Sequence, residues 1–483
     1  MAFMDQSVVR LRLRRSKIVA TVGPACLAPE MIGQLIHQGV DVFRLNMSHG
    51  DHEGHAQAYR TIREVASAAN RFVAILADLC GPKIRVGGFE AGGADLISGQ
   101  TIQISSNITL GQGDQIASDY PYLATDVQVG GQILFDDGNL EARVLRIEGD
   151  TVFAQVVTGG RLKDRKGMNL PGATLSVCAP TEKDIADAQF ACQLGVDYLA
   201  LSFVRQAADL ANLRAALGPE CPPIIAKIEM PEALENIETI AATADGMMVA
   251  RGDLGVELPA EDVPIVQDHL IDLGRTLNKP VIVATQMLDS MIRSPRPTRA
   301  EVTDISHAVW RGCDAVMLSG ETAAGSFPIQ AVGVMDKVTR RTEGYMWKQG
   351  GFGHIAQLDH LSPPLLAEDS FAKAVALMSR DLHVRAVIVV SKTGRSANVV
   401  SSARPAAPIL ALSDNAAVCR RMNLLWGVHP QYVTSEVMSR PAPHASRLLL
   451  QQGLAAENDH FLLVRGFSTN ADQDEPSITV LKV

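Results

Sequence analysis

The chain has 483 residues, 47% of them hydrophobic and 20% charged, which allows a large buried core and about two to four domains. Its 44 basic and 53 acidic residues give a net charge of −9, which argues against a general nucleic-acid partner. We find neither a membrane span of ~18 apolar residues nor a signal-peptide core, and the seven cysteines form no Cys-x-x-Cys pair. We therefore expect a cytoplasmic protein with reduced thiols and no membrane partner.

Short apolar runs recur along the chain, each followed by a polar or glycine-containing turn and an amphipathic stretch. The eight runs lie at 17–23, 41–48, 72–78, 197–204, 223–229, 246–253, 280–287 and 314–321. Near-continuous apolar strands are buried on both faces, and their alternation with helices indicates a parallel sheet. Eight such units in one core predict an α/β fold built on a (β/α)8 TIM barrel.

The pattern changes after the third run, where short alternating segments and turn signals such as Asp137-Gly138 replace helices. We predict a small β-barrel domain at 86–175, inserted above the barrel mouth, where it could close over a ligand as a lid. The catalytic barrel then occupies 1–85 and 176–349. A second α/β pattern predicts a separate C-terminal α/β domain at 350–483.

The apolar strands turn polar at their carboxyl ends, where barrels of this kind carry their active sites. In strand order these residues are Arg44, Asn46, Ser48, Asp78, Lys227, Glu229, Arg251, Asp253, Thr285, Gln286, Ser319 and Glu321. Glu229 and Asp253, on adjacent strands, suit a Mg²⁺ that keeps other positions for substrate oxygens. Lys227 lies on the same side of its strand as Glu229 and suits a developing negative charge. A structural salt bridge in the barrel rim is the alternative.

Several of these strand ends belong to longer segments that resemble a known family. The segments are "KIVATVGPA", "FRLNMSHG", "AKIEMPEALENI", "MVARGDLGVE", "VIVATQMLDSM", "PTRAEVTDI" and "DAVMLSGETA". They resemble, in order, the signature segments of pyruvate kinases, and the resemblance covers essentially the full chain. It implies a phosphotransferase that moves a phosphoryl group from phosphoenolpyruvate to ADP, giving ATP and an enolate that is protonated to pyruvate. It also implies a homotetramer with Mg²⁺, or Mn²⁺, as cofactor.

The resemblance assigns roles to individual residues. Lys227 would stabilise charge on the phosphoryl group and the enolate oxygen, and Arg44 would grip the substrate phosphate with its fork of donors. Thr285 would lie near the methylene carbon and orient a water in a proton relay, supported by Ser319 and Glu321.

Metal, substrate and nucleotide ligands follow in the same way. Glu229 and Asp253 would hold the protein-bound Mg²⁺, and a second Mg²⁺ would arrive with ADP. The implied substrate-binding residues are Arg44, Lys227, Ala250, Arg251, Gly252, Asp253 and Thr285, with backbone amides near Ala250 facing the carboxylate. The implied nucleotide-binding residues are Asn46, His49, Arg85 and, from the lid, Lys166.

The stretch "DLCGPK" at 78–83 departs from the family, which has Asp-Thr-Lys-Gly-Pro-Glu and a bound K⁺ here. Leu79 removes an oxygen ligand, Cys80 removes a lysine, and Lys83 replaces a carboxylate with an ammonium. The monovalent-cation region comprises Asn46, Ser48, Asp78, Leu79 and Lys83. We expect the Lys83 ammonium to replace K⁺, as in the minority of the family with lysine here. Alternatively, Lys83 faces solvent and a K⁺ site survives through the other oxygens.

The stretch "SKTGRSAN" resembles the effector loop of the family, which in many members holds a phosphorylated sugar. Its hydroxyls and cations lie at a helix N-terminus, which suits a phosphate. The candidate effector residues are Ser391, Lys392, Thr393, Gly394, Arg395 and Ser396. We expect regulation by a phosphorylated sugar or nucleotide; an ordinary polar loop is the alternative.

Two other functions remain open at this stage. A carbon–carbon lyase acting on an oxo acid would share the metal site at Glu229 and Asp253, but would need neither Arg85 nor Lys166. A paralogue without catalysis would sense a sugar phosphate through its C-terminal domain. ADP binding would separate the three.

Overall fold

The computed structural model describes residues 14–352, 366–466 and 475–483. Residues 1–13, 353–365 and 467–474, which belong to the predicted barrel and C-terminal domain, lie outside the described residues. Within the described ranges, no helix combines the length and apolarity needed to cross a bilayer.

The chain begins with three barrel strands, each buried along most of its length. The elements are β1 (Lys17–Thr21), α1 (Pro29–Gln38), β2 (Val42–Asn46), α2 (His52–Ala68) and β3 (Ala74–Asp78). An inserted β-rich domain follows, with β4 (Gly93–Leu96), β5 (Thr101–Ser105), β6 (Gln115–Ala117), α3 (Leu123–Asp126), β7 (Gln132–Phe135), β8 (Leu140–Glu148), β9 (Thr151–Thr158), β10 (Gly160–Lys163) and β11 (Met168–Asn169).

The barrel resumes with five strands and their helices. The elements are α4 (Glu182–Leu194), β12 (Tyr198–Leu201), α5 (Ala207–Leu217), β13 (Ile224–Ile228), α6 (Pro231–Glu235), α7 (Ile237–Thr243), β14 (Gly246–Ala250), α8 (Arg251–Glu257), α9 (Val263–Thr276), β15 (Val281–Ala284), α10 (Arg299–Arg311), β16 (Ala315–Leu318), α11 (Gly320–Ala323) and α12 (Pro328–Lys348), with 3₁₀ turns at Gly218–Glu220 and Asp289–Ile292.

These eight strands close into one parallel barrel in the order β1-β16-β15-β14-β13-β12-β3-β2. Each predicted run supplies one strand, so the predicted (β/α)8 barrel is confirmed. Helices cover the outside; α4, for example, begins with a capping box between Thr181 and Asp184 and ends at Gly195 in the left-handed conformation that glycine favours.

The inserted domain follows β3 and returns before α4. Its strands form a six-stranded sheet, β11-β7-β8-β9-β5-β6, and a two-stranded sheet, β10-β4. Side chains from both sheets, including Leu96, Ile104, Phe135 and Leu162, share one apolar core. The single-turn helix α3 had no signal in the sequence pattern. The domain therefore has its own core and is joined to the barrel by two linkers.

The C-terminal domain is a second α/β unit, as predicted. Its elements are α13 (Ala367–Asp381), β17 (Val387–Val390), α14 (Arg395–Ser402), β18 (Ile409–Ser413), α15 (Ala416–Met422), β19 (Val428–Tyr432), α16 (Ser435–Ser439), α17 (Pro441–Gln451), β20 (His460–Arg465) and β21 (Ser477–Lys482). The sheet order is β19-β18-β17-β20-β21, with only β21 antiparallel among these strands. Strand β19 was not predicted, because it contains Pro430 and is mostly only partly buried. Helices α16 and α17 were not predicted either.

The amino end of the barrel is held by a repeated aspartate contact. The residue before each of four alternate strands is an aspartate whose carboxylate accepts a hydrogen bond from the start of the neighbouring strand. The pairs are Asp41 with Ile18 N (2.9 Å), Asp197 with Ile75 N (2.8 Å), Asp245 with Ile224 N (2.8 Å) and Asp314 with Val281 N (3.0 Å). Each also pairs with an arginine, in the same order Arg14, Arg63, Arg214 and Arg404. Because Arg404 is in the C-terminal domain, this end also docks that domain.

Candidate active site

Four charged side chains from three strands meet at the carboxyl end of the barrel. Asp78, which is 1% exposed, accepts a hydrogen bond from Arg44 Nε (2.5 Å) and lies 3.2 Å from Lys227 Nζ. Lys227 is also 2.9 Å from Glu229 Oε1, and Glu229 Oε2 accepts from Phe203 N at 2.7 Å. The cluster alternates two cations with two carboxylates, so its charges are balanced although it is buried.

The cluster shifts the pKa values of its members. Burial would raise the pKa of Asp78, but the charges of Arg44 and Lys227 hold it below its ordinary value. Burial would likewise lower the pKa of Lys227, but Asp78 and Glu229 raise it above its ordinary value. Burial raises the pKa of Glu229, Lys227 offsets part of this, and Asp253 adds to it. Lys227 therefore stays cationic over the whole physiological range.

Ser202 belongs to this cluster and was missed by the sequence analysis. Its hydroxyl accepts from Lys227 Nζ at 2.5 Å and donates to the Leu79 carbonyl at 2.7 Å. It follows β12, the fourth barrel strand, from which no candidate was taken. The same rule of polar residues at strand ends would have found it in the run "DYLALSFV".

Thr285 lies directly after β15 with φ +67°, an unusual conformation for a β-branched residue. Its hydroxyl accepts from Gly252 N at 2.7 Å and donates to the Ala284 carbonyl at 2.7 Å. The Arg251 guanidinium donates to the Thr285 carbonyl (2.7 Å) and pairs with Asp304 (2.6 Å). The Arg251 side chain is thus committed to contacts within the protein. A strained backbone of this kind persists only where surrounding contacts hold it, as those with Gly252 and Arg251 do here.

Asp253, in the first turn of α8, pairs with Lys83 at 3.1 Å, and about a quarter of each side chain is exposed. The charge of Asp253 raises the pKa of Glu229, so the two carboxylates lie near each other. Across the described ranges, no three His, Cys, Asp or Glu side chains converge into a ready-made metal site. Two carboxylates with open positions beside them fit Mg²⁺, which usually retains water and substrate ligands.

The predicted nucleotide side of the site is electropositive. Burial lowers the pKa of His49, and the charges of Arg85, Arg44 and Lys83 lower it further, so these cations surround one region. His49 Nδ1 contacts Asn46 Nδ2 at 3.1 Å.

Two lid residues complete this side. Lys166 is held by Asp136 at 2.6 Å. Gly167, next to it, lies over Lys83, since a Cβ built there would be 3.4 Å from Lys83 Cε. Lys83 is therefore under the root of the lid.

The other predicted residues have mainly structural contacts. Asn46 Oδ1 accepts from Ser48 N at 3.2 Å, and the Leu79 side chain is fully buried. Glu321 accepts from Leu288 N (3.0 Å) and Ser319 N (2.7 Å), and so fixes the loop after β15 that contains Thr285.

The candidate effector loop connects β17 to α14 in the C-terminal domain. Ser391 Oγ accepts from Gly394 N at 3.1 Å, and Gly394 takes the left-handed conformation, φ +97°. Arg395 forms an ion pair with Glu368 of α13, a contact that the sequence did not indicate. The loop follows a strand of the five-stranded C-terminal sheet, whereas the candidate active site lies at the ends of the barrel strands.

Comparison with known proteins agrees with this geometry. The family model described as "Pyruvate kinase, barrel domain" matches residues 13–332, and "Pyruvate kinase, alpha/beta domain" matches 369–480. A pyruvate kinase of Agrobacterium vitis is 42% identical over 94% of both chains, and one of Geobacillus stearothermophilus is 42% identical over 94% of this chain and 78% of its own. The solved structure of a Cryptosporidium parvum pyruvate kinase superposes with a TM-score of 0.87 and 34% identity, covering 99% of each chain. The chain belongs to the pyruvate kinase family.

Proposed function

We propose that this pyruvate kinase transfers phosphoryl groups with Mg²⁺ and without K⁺, at the carboxyl end of its barrel. The buried cluster of Arg44, Asp78, Lys227 and Glu229 carries this proposal, because it keeps a permanent cation beside a carboxylate at the barrel mouth. The family membership sets aside the lyase.

The proposed chemistry assigns one task to each side chain. The bond between the phosphorus and the enol oxygen of phosphoenolpyruvate breaks, and a terminal oxygen of ADP forms the new bond to phosphorus. Arg44 holds the phosphoryl oxygens, and Lys227 stabilises the negative charge left on the enolate oxygen. Thr285 positions the water that delivers a proton to the methylene carbon, giving pyruvate.

Glu229 and Asp253 are the proposed ligands of the protein-bound Mg²⁺, and Mn²⁺ suits the same oxygens. The bound ion would draw negative charge from the phosphoryl oxygens during transfer. Amides of residues 250–253 face the substrate carboxylate, while Asn46, His49, Arg85 and Lys166 face the nucleotide phosphates.

We propose that Lys83 supplies the positive charge that K⁺ supplies elsewhere in the family. Its ammonium lies at the rim, under Gly167 of the lid and beside Asp253. Leu79 offers no side-chain oxygen, and its carbonyl already accepts from Ser202. A cation covalently attached at this place removes the need for a bound one.

Pyruvate formation in buffer free of Na⁺ and K⁺ tests this proposal. With phosphoenolpyruvate, ADP and Mg²⁺, the wild type should be fully active, and added K⁺ should change the rate by less than about 2-fold. The activity of Lys83→Glu should become K⁺-dependent, because a carboxylate can bind the ion. The activity of Lys83→Gln should be low with and without K⁺, because glutamine supplies neither an ammonium nor a carboxylate. Activity of the wild type only with K⁺ would contradict the role of Lys83. Inactivity with and without K⁺, with effectors present, would favour the alternative of a non-catalytic paralogue that senses a sugar phosphate.

We also propose that residues 391–396 bind a phosphorylated sugar or nucleotide. The hydroxyl of Ser391, the exposed Lys392 and the start of α14 support an anion at this loop. Titration of such metabolites into the wild type and Lys392→Ala, followed by activity and calorimetry, tests the site. Equal responses of the two proteins would contradict it.

The remaining proposals concern the assembly and the cell. Trp310, Tyr345 and Trp347 are each about half exposed, at 47%, 55% and 52%, which supports burial of α10 and α12 in a homotetramer. Mass measurement by light scattering tests this.

Seven unpaired cysteines support a cytoplasmic location. We retain the proposed domain limits, with the barrel at 1–85 and 176–349, the insert at 86–175 and the C-terminal domain at 350–483.

A further inference from the structure

The root of the lid forms a polar contact with α8, the helix that carries a proposed metal ligand. Asn169 Nδ2, at the end of β11, donates to Glu257 Oε1 at 3.0 Å. Glu257 is the last residue of α8, the helix whose first turn contains Asp253. The contact thus connects the lid to the element that carries a proposed metal ligand.

The surroundings of Glu257 make Asn169 its main partner. A crevice of about 20 Å³ separates the lid root from the barrel here, lined by residues that include Lys83, Met168, Phe203, Met230 and Glu257. Burial raises the pKa of Glu257, Asn169 offsets part of this, and the charges of Glu232 and Asp253 add to it. In the described part of the chain, no cation forms a salt bridge with Glu257. Losing the amide would leave a half-buried carboxylate beside two others.

Asn169 is linked by short contacts to Lys166, the proposed nucleotide-binding residue of the lid. It pairs with Leu134 in the ladder between β11 and β7, and β7 leads directly to Asp136, which holds Lys166. Met168 N also donates to the Ile84 carbonyl in the first linker, at 2.9 Å. The Asn169 amide and the Lys166 ammonium are therefore parts of one short, cross-linked unit.

We propose that Asn169 and Glu257 form a latch that sets the lid in register with α8, so that Lys166 and Asp253 face the same nucleotide. The inference rests on the proposed nucleotide site under the lid. Both are positioning residues, because neither is assigned a contact with substrate. When the lid lifts, both groups become hydrated, so the latch can open and close reversibly.

Amide hydrogen exchange of the ligand-free protein tests the latch without reference to activity. Asn169→Ala should speed exchange at residues 166–169 by about 3- to 10-fold, the size expected for one hydrogen bond. Asn169→Asp should speed it further, since two carboxylates would face each other. Glu257→Gln, which keeps an acceptor oxygen, should resemble the wild type, whereas Glu257→Ala should resemble Asn169→Ala.

Kinetics then connect the latch to function. Asn169→Ala and Glu257→Ala should each raise KM for ADP by about 3- to 10-fold, with KM for phosphoenolpyruvate changed much less. The double variant should be no worse than either single one, because the two residues share one contact. Asn107→Ala, at an exposed lid site that contacts Asp150, and Glu261→Ala, an exposed carboxylate just beyond α8, are the controls.

Unchanged exchange in Asn169→Ala, or additive effects in the double variant, would overturn the latch. So would a Glu257→Gln variant as impaired as Glu257→Ala. If ADP fails to slow exchange at the lid root of the wild type, the proposed nucleotide site fails. The exchange rates of the ligand-free variants would still decide the latch.

Discussion

The two ends of the barrel use the same charged residue types for different purposes. At the amino end, Asp41, Asp197, Asp245 and Asp314 accept backbone hydrogen bonds and pair with arginines. At the carboxyl end, carboxylates pair with Arg44, Lys83 and Lys227, and Asp253 is partly exposed. The amino end fixes strands and docks the C-terminal domain, whereas the carboxyl end includes a partly exposed charge pair, Lys83 with Asp253.

This difference shows that burial and charge pairing alone do not identify an active site. The two ends differ in whether each charged group can still accept a further hydrogen-bond or ion-pair partner. Asp314 uses one oxygen on Val281 N and Arg404 and the other on Trp426 N. The Asp253 carboxylate has Lys83 as its ion-pair partner and stays about a quarter exposed, so it can accept a further partner, such as the proposed Mg²⁺. Changes at the two ends should therefore affect different measurements.

The largest effect should be a loss of stability from Asp314→Asn. Asn keeps an acceptor for Val281 N but leaves the buried Arg404 guanidinium without its carboxylate, which should cost about 3–5 kcal/mol of unfolding free energy. Urea denaturation measures this. The matched control is Asp245→Asn, where the pair with Arg214 is about one-third exposed and the loss should be about 0–1 kcal/mol. Equal losses at both positions would contradict the comparison.

Lys227→Met should instead remove catalysis. We expect kcat to fall by about 10²–10³-fold, because the enolate loses its fixed cation. Arg44 still neutralises Asp78, but the buried Glu229 loses its cation, so some fall in the thermal midpoint should accompany the loss of activity. Steady-state kinetics and calorimetry measure the two quantities. Lys337→Met, at an exposed site on α12, is the control and should alter neither.

Thr285→Val should affect the proton step selectively. Losing the hydroxyl should slow pyruvate formation by about 10²-fold, the low end for acid–base catalysis, because Thr285 is proposed to orient water. Thr285→Ser keeps the hydroxyl and should remain close to the wild type. Exchange of pyruvate methyl protons with D₂O, followed by NMR, isolates this step. Unimpaired exchange in Thr285→Val would rule out the proposed relay.

The smallest effect concerns pH and the amino end. Burial lowers the pKa of Lys17 from 10.5 to about 8, although Asp41 raises it in part. Between these values the unfolded chain binds more protons than the folded protein, so unfolding free energy should rise with pH, by at most about 1.4 kcal/mol per unit. Below pH 8 both states are protonated and this contribution is constant. Urea midpoints from pH 7.5 to 10 should show a slope in the wild type that Lys17→Met lacks.

The sequence predicted the barrel well because each barrel strand is marked by residues that are adjacent in the chain. Each strand is a short apolar run, and the strand ends that face one another are specified by the parallel order. The same rule placed Arg44, Asp78, Lys227 and Glu229 at one end, and the structure brings them into contact.

Contacts between distant segments could not be predicted in this way. The aspartates before β2, β12 and β16 were visible at the start of their runs, but their hydrogen-bond partners depend on strand register. The ion pairs of Lys83 with Asp253 and of Arg395 with Glu368 depend on how separate elements pack. Strand β19 was missed for a different reason, since Pro430 and its polar neighbours hide a strand that pairs with β18 along its full length.

The insertion point of the lid also has a consequence for how the protein can be rebuilt. Strands β3 and β12 pair directly, although the whole inserted domain separates them in the chain. Barrel closure therefore needs no contact within the insert, and the insert has its own apolar core. A barrel in which a short loop replaces residues 86–175 should still close and could accept a different cap. Closure of the barrel is thus independent of the insert, whereas the contact between Asn169 and Glu257 means that a new cap would have to supply its own attachment to α8.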